Sequence, residues 1–245
     1  MTDRAPISYH GQVWRELGKG VARELPVALG VLPFGMIFGV IAVGAGIPPL
    51  LAQAMSCIVF AGSAQFIGAQ LMGAATPAAI ILLTTFVVNS RHLLYSASIA
   101  PYLRILPAGW RAVLAYLLTD EAYTVTILHF ENGDGYRAAR HWFLFGAGMT
   151  LWSAWQASTA LGVFLGAQVP AAWALDFTLA LTFIGLVVPA LRQRADVAAA
   201  VVAGLVALLM ADLPYNLNLV AAALAGMSAG LALERRGAND VLVES

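Results

Sequence analysis

The chain has 245 residues, 60% of them hydrophobic and 11% charged, with a mean hydropathy of +0.81. Soluble domains carry about twice that charged fraction, so the composition excludes an ordinary water-soluble globule and indicates a polytopic membrane protein. The formal net charge is zero, which leaves no basic field to hold nucleic acid, and the single Cys57 excludes an intrachain disulfide or a cysteine metal cage.

Residues 1–24 are polar, with Asp3, Arg4, Arg15, Glu16 and Lys19, and do not resemble a cleavable leader. Within them Val13, Trp14, Leu17 and Val21 recur at helical spacing. That stripe fits a short helix lying in the membrane interface before the first span, and a loose tail is the other reading. A crossing helix needs about 20 mostly apolar residues. Eight segments come close: 25–46, 49–72, 77–100, 110–130, 141–167, 171–191, 196–213 and 214–233. The last two are separated only by Asp212-Leu213-Pro214, so the count is seven or eight. Glycine- and proline-bearing breaks at 44–49, 73–77, 101–107, 132–135 and 166–170 separate the others. The predicted fold is therefore an all-α polytopic helix bundle, with a transmembrane domain over 25–233 and a cytoplasmic tail over 234–245.

Orientation follows from Lys and Arg in short loops. Arg4, Arg15, Lys19 and Arg23, then Arg137 and Arg140, Arg192 and Arg194, and Arg235 and Arg236 all fall on the cytoplasmic side if the N-terminus lies inside. The loop with Arg104 and Arg111 breaks that rule. Gly44-Ala45-Gly46-Ile47-Pro48 returns as Gly166-Ala167-Gln168-Val169-Pro170, and Phe66-Ile67-Gly68 as Phe183-Ile184-Gly185. Offsets of 122 and 117 residues are compatible with a duplicated half, an arrangement known from secondary transporters, or with chance matches in a Gly- and Ala-rich chain.

The polar residues inside these segments need a reason. From Leu25 to Ala100 the one formal charge is Arg91, within Asn89-Ser90-Arg91-His92, and a charge near the centre of a membrane helix costs roughly 2.5–3.5 kcal/mol on insertion scales. It would bind a carboxylate, pair with an acid or reach the headgroups. His92 shares a helical face with Asn89 and Ser96; it would carry a proton or act as a structural hydrogen-bond donor. In the second segment Gly62, Ser63, Ala64 and Gln65 would either let helices approach closely or unwind locally, freeing backbone groups to hold the two ends of an amino acid. The fourth segment carries Thr119-Asp120-Glu121-Ala122-Tyr123. One of the two acids would neutralise Arg91 and the other would bind a proton, with Tyr116, Tyr123 and Thr124 near Asp120. Asp176 is a weaker candidate. Trp152, Trp155 and Gln156 would pack helices or line an apolar pocket.

No phosphate-binding loop, His-Glu-x-x-His or Gly-x-Ser-x-Gly elbow is present, so no enzyme activity, cofactor or metal is expected. The ordered stretches Leu32-Pro33-Phe34-Gly35-Met36-Ile37-Phe38-Gly39, Phe60-Ala61-Gly62-Ser63-Ala64-Gln65-Phe66, Asn89 to Ser96 and Thr119 to Tyr123 resemble the AzlC/YgaZ-type permeases. The resemblance covers about the first half of the chain. It implies the large subunit of a branched-chain amino acid exporter, a multi-pass protein of the cytoplasmic (inner) cell membrane that works with a small AzlD-type membrane subunit. From the residues themselves we assign Gly62, Ser63, Gln65 and Asn89 to the substrate's polar end. Asp120, Glu121 and His92 are assigned to proton coupling, and Arg91 and Tyr123 to the surrounding polar network. A passive small-solute channel, or a scaffold whose site lies in a partner chain, are the alternatives.

Overall fold

A computed structural model describes residues 8–133, 135–166, 191, 193–213 and 217–243, the side chains of 235–243 apart. Among these residues the chain is all α, as its composition predicts, with ten helices. They are α1 (Tyr9–Gly44), α2 (Pro49–Val59), α3 (Gly62–Gly73), α4 (Ala78–Asn89), α5 (Arg91–Leu103), α6 (Ala108–Tyr116), α7 (Asp120–Glu131), α8 (His141–Gly166), α9 (Arg194–Leu209) and α10 (Leu217–Val243). The sixth segment at 171–191, Asp176 and the second copies of both repeated motifs lie wholly or mostly outside the described residues, as does Pro214 between the last two segments.

The chain divides into two compact units. One comprises residues 1–66 and 89–168, the other 67–88 and 169–245. In the second unit α9 packs on α10. Gly226 fits there against the Ala199 carbonyl and Ala203, which brings the two backbones close.

The first unit is organised by α1 against α8. Their backbones meet because small residues face each other. A methyl group on Gly20 would overlap the Phe143 carbonyl, one on Gly39 the backbone of Thr159 and Val163, and one on Gly162 the Met36 carbonyl. In lipid, where apolar burial offers little drive, such close contact is what holds helices together. Pro26 and Pro33 lie inside α1 without ending it, which neighbouring helices make tolerable in membrane segments.

The separate interfacial helix expected before residue 25 is not formed. α1 runs unbroken through it for 36 residues, about 54 Å at 1.5 Å per residue, so it projects well beyond a hydrocarbon core of about 30 Å. Of the apolar stripe, Trp14 and Val21 are exposed and Val13 and Leu17 half-buried. Trp14 is 69% exposed, whereas Glu16, Gly20, Glu24 and Ala28 form the buried face. Elsewhere too large apolar residues face outward, while polar ones are buried beside an apolar core that includes Phe38, Leu114 and Phe143. Leu50, Ile58, Leu82, Leu94 and Leu208 are exposed, while Ser56, Gln65, Thr126, Ser158 and Thr159 are buried. A lipid surround accounts for that outward apolar surface.

Among the described residues, three helical stretches are long and apolar enough to cross a membrane by length and composition: Tyr9–Gly44, Ala78–Leu103 (α4 and α5 taken together through Ser90) and Leu217–Glu234. The second, third and fourth apolar segments are each divided into two shorter helices. The second breaks where Phe60 takes a left-handed conformation (φ 40°) at the end of α2. The third is interrupted at Ser90 alone, which keeps helical angles. The fourth breaks at Leu117 to Thr119, with Thr119 extended (φ −91°, ψ 176°). The predicted unwinding of the second segment thus falls at Phe60 and Ala61, just before Gly62. The other two interruptions were not expected.

Candidate functional site

The three interruptions supply a common site. α3 starts at Gly62, α5 at Arg91 and α7 at Asp120, and side chains from all three starts are bonded together. One Arg91 guanidinium nitrogen donates to Asp120 Oδ2 at 2.5 Å and the other to Ser63 Oγ at 3.1 Å. The Arg91 and Asp120 side chains are 32% and 35% exposed, so the pair lies partly buried, where its attraction is less screened than at an open surface. Of the two adjacent acids, then, it is Asp120 that meets Arg91.

The fourth segment was read as a continuous apolar helix with both acids in its interior. The structure corrects this. Thr119 is the N-cap of α7, its Oγ1 accepting from the Ala122 N–H at 3.4 Å, and Asp120 and Glu121 occupy the first turn. Acids there complement the unpaired N–H groups and the positive end of the helix dipole. Tyr116 lies in a different helix, α6, and its hydroxyl donates to the Cys57 carbonyl. Thr124 donates to the Asp120 carbonyl at 2.8 Å rather than to its carboxylate. Tyr123 stacks on Tyr95, ring centroids 4.6 Å apart, and donates to Ser98 at 3.0 Å.

The remaining predicted residues surround the same junction. Gln65 is fully buried and its Oε1 accepts from the Ala61 N–H at 3.2 Å, so it secures the break that precedes α3. Gly62 faces the Trp155 ring, which stacks in turn on Phe38, and Phe38 meets Phe66 edge-on. Asn89 ends α4, and its carbonyl lies 3.2 Å from His92 Nδ1.

Several polar atoms at the junction are buried and have no hydrogen-bond partner among the described residues. They are the donors Arg91 Nε and Gln65 Nε2 and the acceptors Asn89 Oδ1 and Asp120 Oδ1. Buried polar groups are normally satisfied, so an orphan set with both donors and acceptors marks a place where a polar ligand would be stabilised.

Sequence reasoning missed two further polar groups. Between α2 and α8, Gln53 and Cys57 both donate to Gln156 Oε1, at 2.8 and 3.0 Å, and Ser56 bonds Thr159 at 3.1 Å. In the second, Glu16 on α1 meets His129 on α7 at 2.8 Å and Lys19 at 3.0 Å. The His129 ring is stacked on Phe143 at 3.9 Å. The sequence shows Glu16 only as one of several polar residues in the N-terminal segment, and the pairing of α1 with α7 reveals it as buried.

A family model described as AzlC protein matches residues 26–169. A relative from Archaeoglobus fulgidus, described as an uncharacterized membrane protein, is 33% identical over 85% of this chain and 91% of its own length. The inner membrane protein YgaZ of Escherichia coli is 27% identical, covering 80% of this chain and 82% of its own. The branched-chain amino acid transport protein AzlC of Bacillus subtilis is 26% identical over 73% and 69%. No solved structure matches the chain.

Proposed function

This chain belongs to the AzlC family, and from that membership and its membrane transport role we propose that it exports branched-chain or similar apolar amino acids across the cytoplasmic membrane. It is a multi-pass secondary transporter, not an enzyme, driven by the proton gradient and acting with a small AzlD-type membrane subunit. The name of the Bacillus subtilis relative supports the substrate class.

The observation that carries the reading is the orphan set at the three helix starts. A zwitterionic amino acid offers a carboxylate and an ammonium a short distance apart. Arg91 Nε, Gln65 Nε2 and the N-terminal N–H groups of α3 supply donors for the first. Asp120 Oδ1 and Asn89 Oδ1 supply acceptors for the second. Trp155, Phe38 and Phe66 beside Gly62 supply an apolar wall for the side chain. Interrupted helices at the substrate, with backbone groups turned toward it, are a transporter arrangement. Because Asp120 is engaged by Arg91, proton exchange falls to Glu121, with His92 at the edge of the same network.

Counterflow in proteoliposomes tests the reading. Vesicles carrying the chain with its small partner are expected to take up labelled leucine, valine and methionine against an unlabelled internal pool, with saturation. Flux without saturation or counterflow would instead establish a passive channel. Counterflow by the partner alone would establish a scaffold role for this chain.

A further inference from the structure

Glu24 was no part of the predicted site, yet it is the least provided-for charge in the first unit. Its side chain is fully buried on α1, and neither carboxyl oxygen has a hydrogen-bond partner among the described residues. A bare carboxylate in such a place is strongly disfavoured, whereas the neutral acid is tolerated far better.

The charged groups around it are few. α7 packs on α1 and brings Glu121, whose carboxylate repels that of Glu24. α8 and α2, which also pack on α1, contain no Asp, Glu, Lys or Arg. Their titratable groups are His141, ringed by Trp110 and Trp142, and Cys57, bonded to Gln156. Beyond Glu121 stand Asp120 and Arg91, already paired. On α1 itself, Lys19 is bound to Glu16. Arg23 lines a cavity of about 480 Å³ with Lys19, Ala22, His129, Gly135 and Phe143.

We propose that Glu24 is a proton site whose charge state is linked to that of Glu121 across the α1–α7 contact, so that the two carboxyls hold one proton between them without a direct hydrogen bond and couple proton exchange to the relative position of α1 and α7. In the loaded pair one carboxyl is neutral and the other ionised, and a single O–H bond breaks on release. The proton passes to water, for which the cavity lined by the preceding residue, Arg23, has room. Release leaves two carboxylates across the α1–α7 contact, and their repulsion favours a state with the helices apart. What that movement drives rests on the transport reading, but the existence of the proton site does not.

Infrared spectroscopy of the full chain in liposomes at neutral pH tests the site. A protonated-carboxyl C=O band that shifts in D2O is expected, lost in Glu24→Gln and kept in Glu234→Gln, which alters an exposed acid. The amide resembles the neutral acid, so Glu24→Gln should melt near the wild-type temperature. If it fails to reconstitute, Glu24→Asp should move the band instead. A band unchanged in both Glu24 variants overturns the proposal. In the transport assay, Glu24→Gln should retain leucine counterflow and lose at least tenfold in uptake driven by a pH gradient. Undiminished gradient-driven uptake overturns the coupling role. A wild type with neither activity refutes the transport reading, and the infrared result still decides the site.

Discussion

Arg91 illustrates how far one residue can be read from sequence. An isolated charge between apolar runs demands a partner, and that demand is visible without a structure. Which acid answers it depends on geometry that hydropathy does not encode. Thr119-Asp120-Glu121 is a helix-start pattern, with a capping hydroxyl and two acids in the first turn. The apolar residues on both sides masked it as the interior of one span. Since Arg91 and Asp120 are each about a third exposed, their pairing should lie between a surface and a buried ion pair. We expect Arg91→Gln and Asp120→Asn each to lower the melting temperature in detergent. The double variant should recover part of the loss, with a coupling on the order of 1 kcal/mol. Additive losses in that cycle would show that the contact contributes nothing.

At the scale of elements, hydropathy reported apolar segments but not their interruptions. The break at Phe60 was legible in part, because Gly62 and Ser63 weaken a helix and Gln65 needs a partner. Ser90 was not legible, since its backbone stays helical. The α1–α8 contact was foreshadowed only as scattered glycines. Which of them matter follows from what each one faces. Gly162 and Gly39 sit against backbone atoms of the opposite helix, whereas nothing lies within 4 Å of a Cβ placed on Gly18 or Gly30. Gly162→Ala should therefore separate the helices and destabilise the protein by about 1–3 kcal/mol, as overpacking does. Gly18→Ala should be neutral, or stabilising by up to about 1 kcal/mol through helix propensity. Thermal melts of the two variants side by side check this, and equal behaviour would contradict it.

For the whole molecule, composition and the run of long apolar segments were sufficient to indicate an all-α membrane protein, because a bilayer removes the need for surface charge. The same fact made the inside hard to read. In a soluble helix the apolar stripe marks the core. Here Val13, Trp14, Leu17 and Val21 suggested a face lying in the membrane interface, and the face buried in the protein is Glu16, Gly20 and Glu24. The polar residues of a membrane bundle are the better guide to its interior, and Glu16 and Glu24 were overlooked because they preceded the first apolar run. The account joins these scales in one claim, that the substrate binds where α3, α5 and α7 begin. Cys57 is the sole native cysteine, so Cys57→Ser provides a background in which Ser63→Cys carries the only thiol, beside Arg91. The measurement is the rate at which a maleimide alkylates that thiol in proteoliposomes, with and without leucine. The account predicts that saturating leucine slows alkylation several-fold while glutamate does not. A rate indifferent to leucine, in protein that still catalyses leucine counterflow, would contradict it.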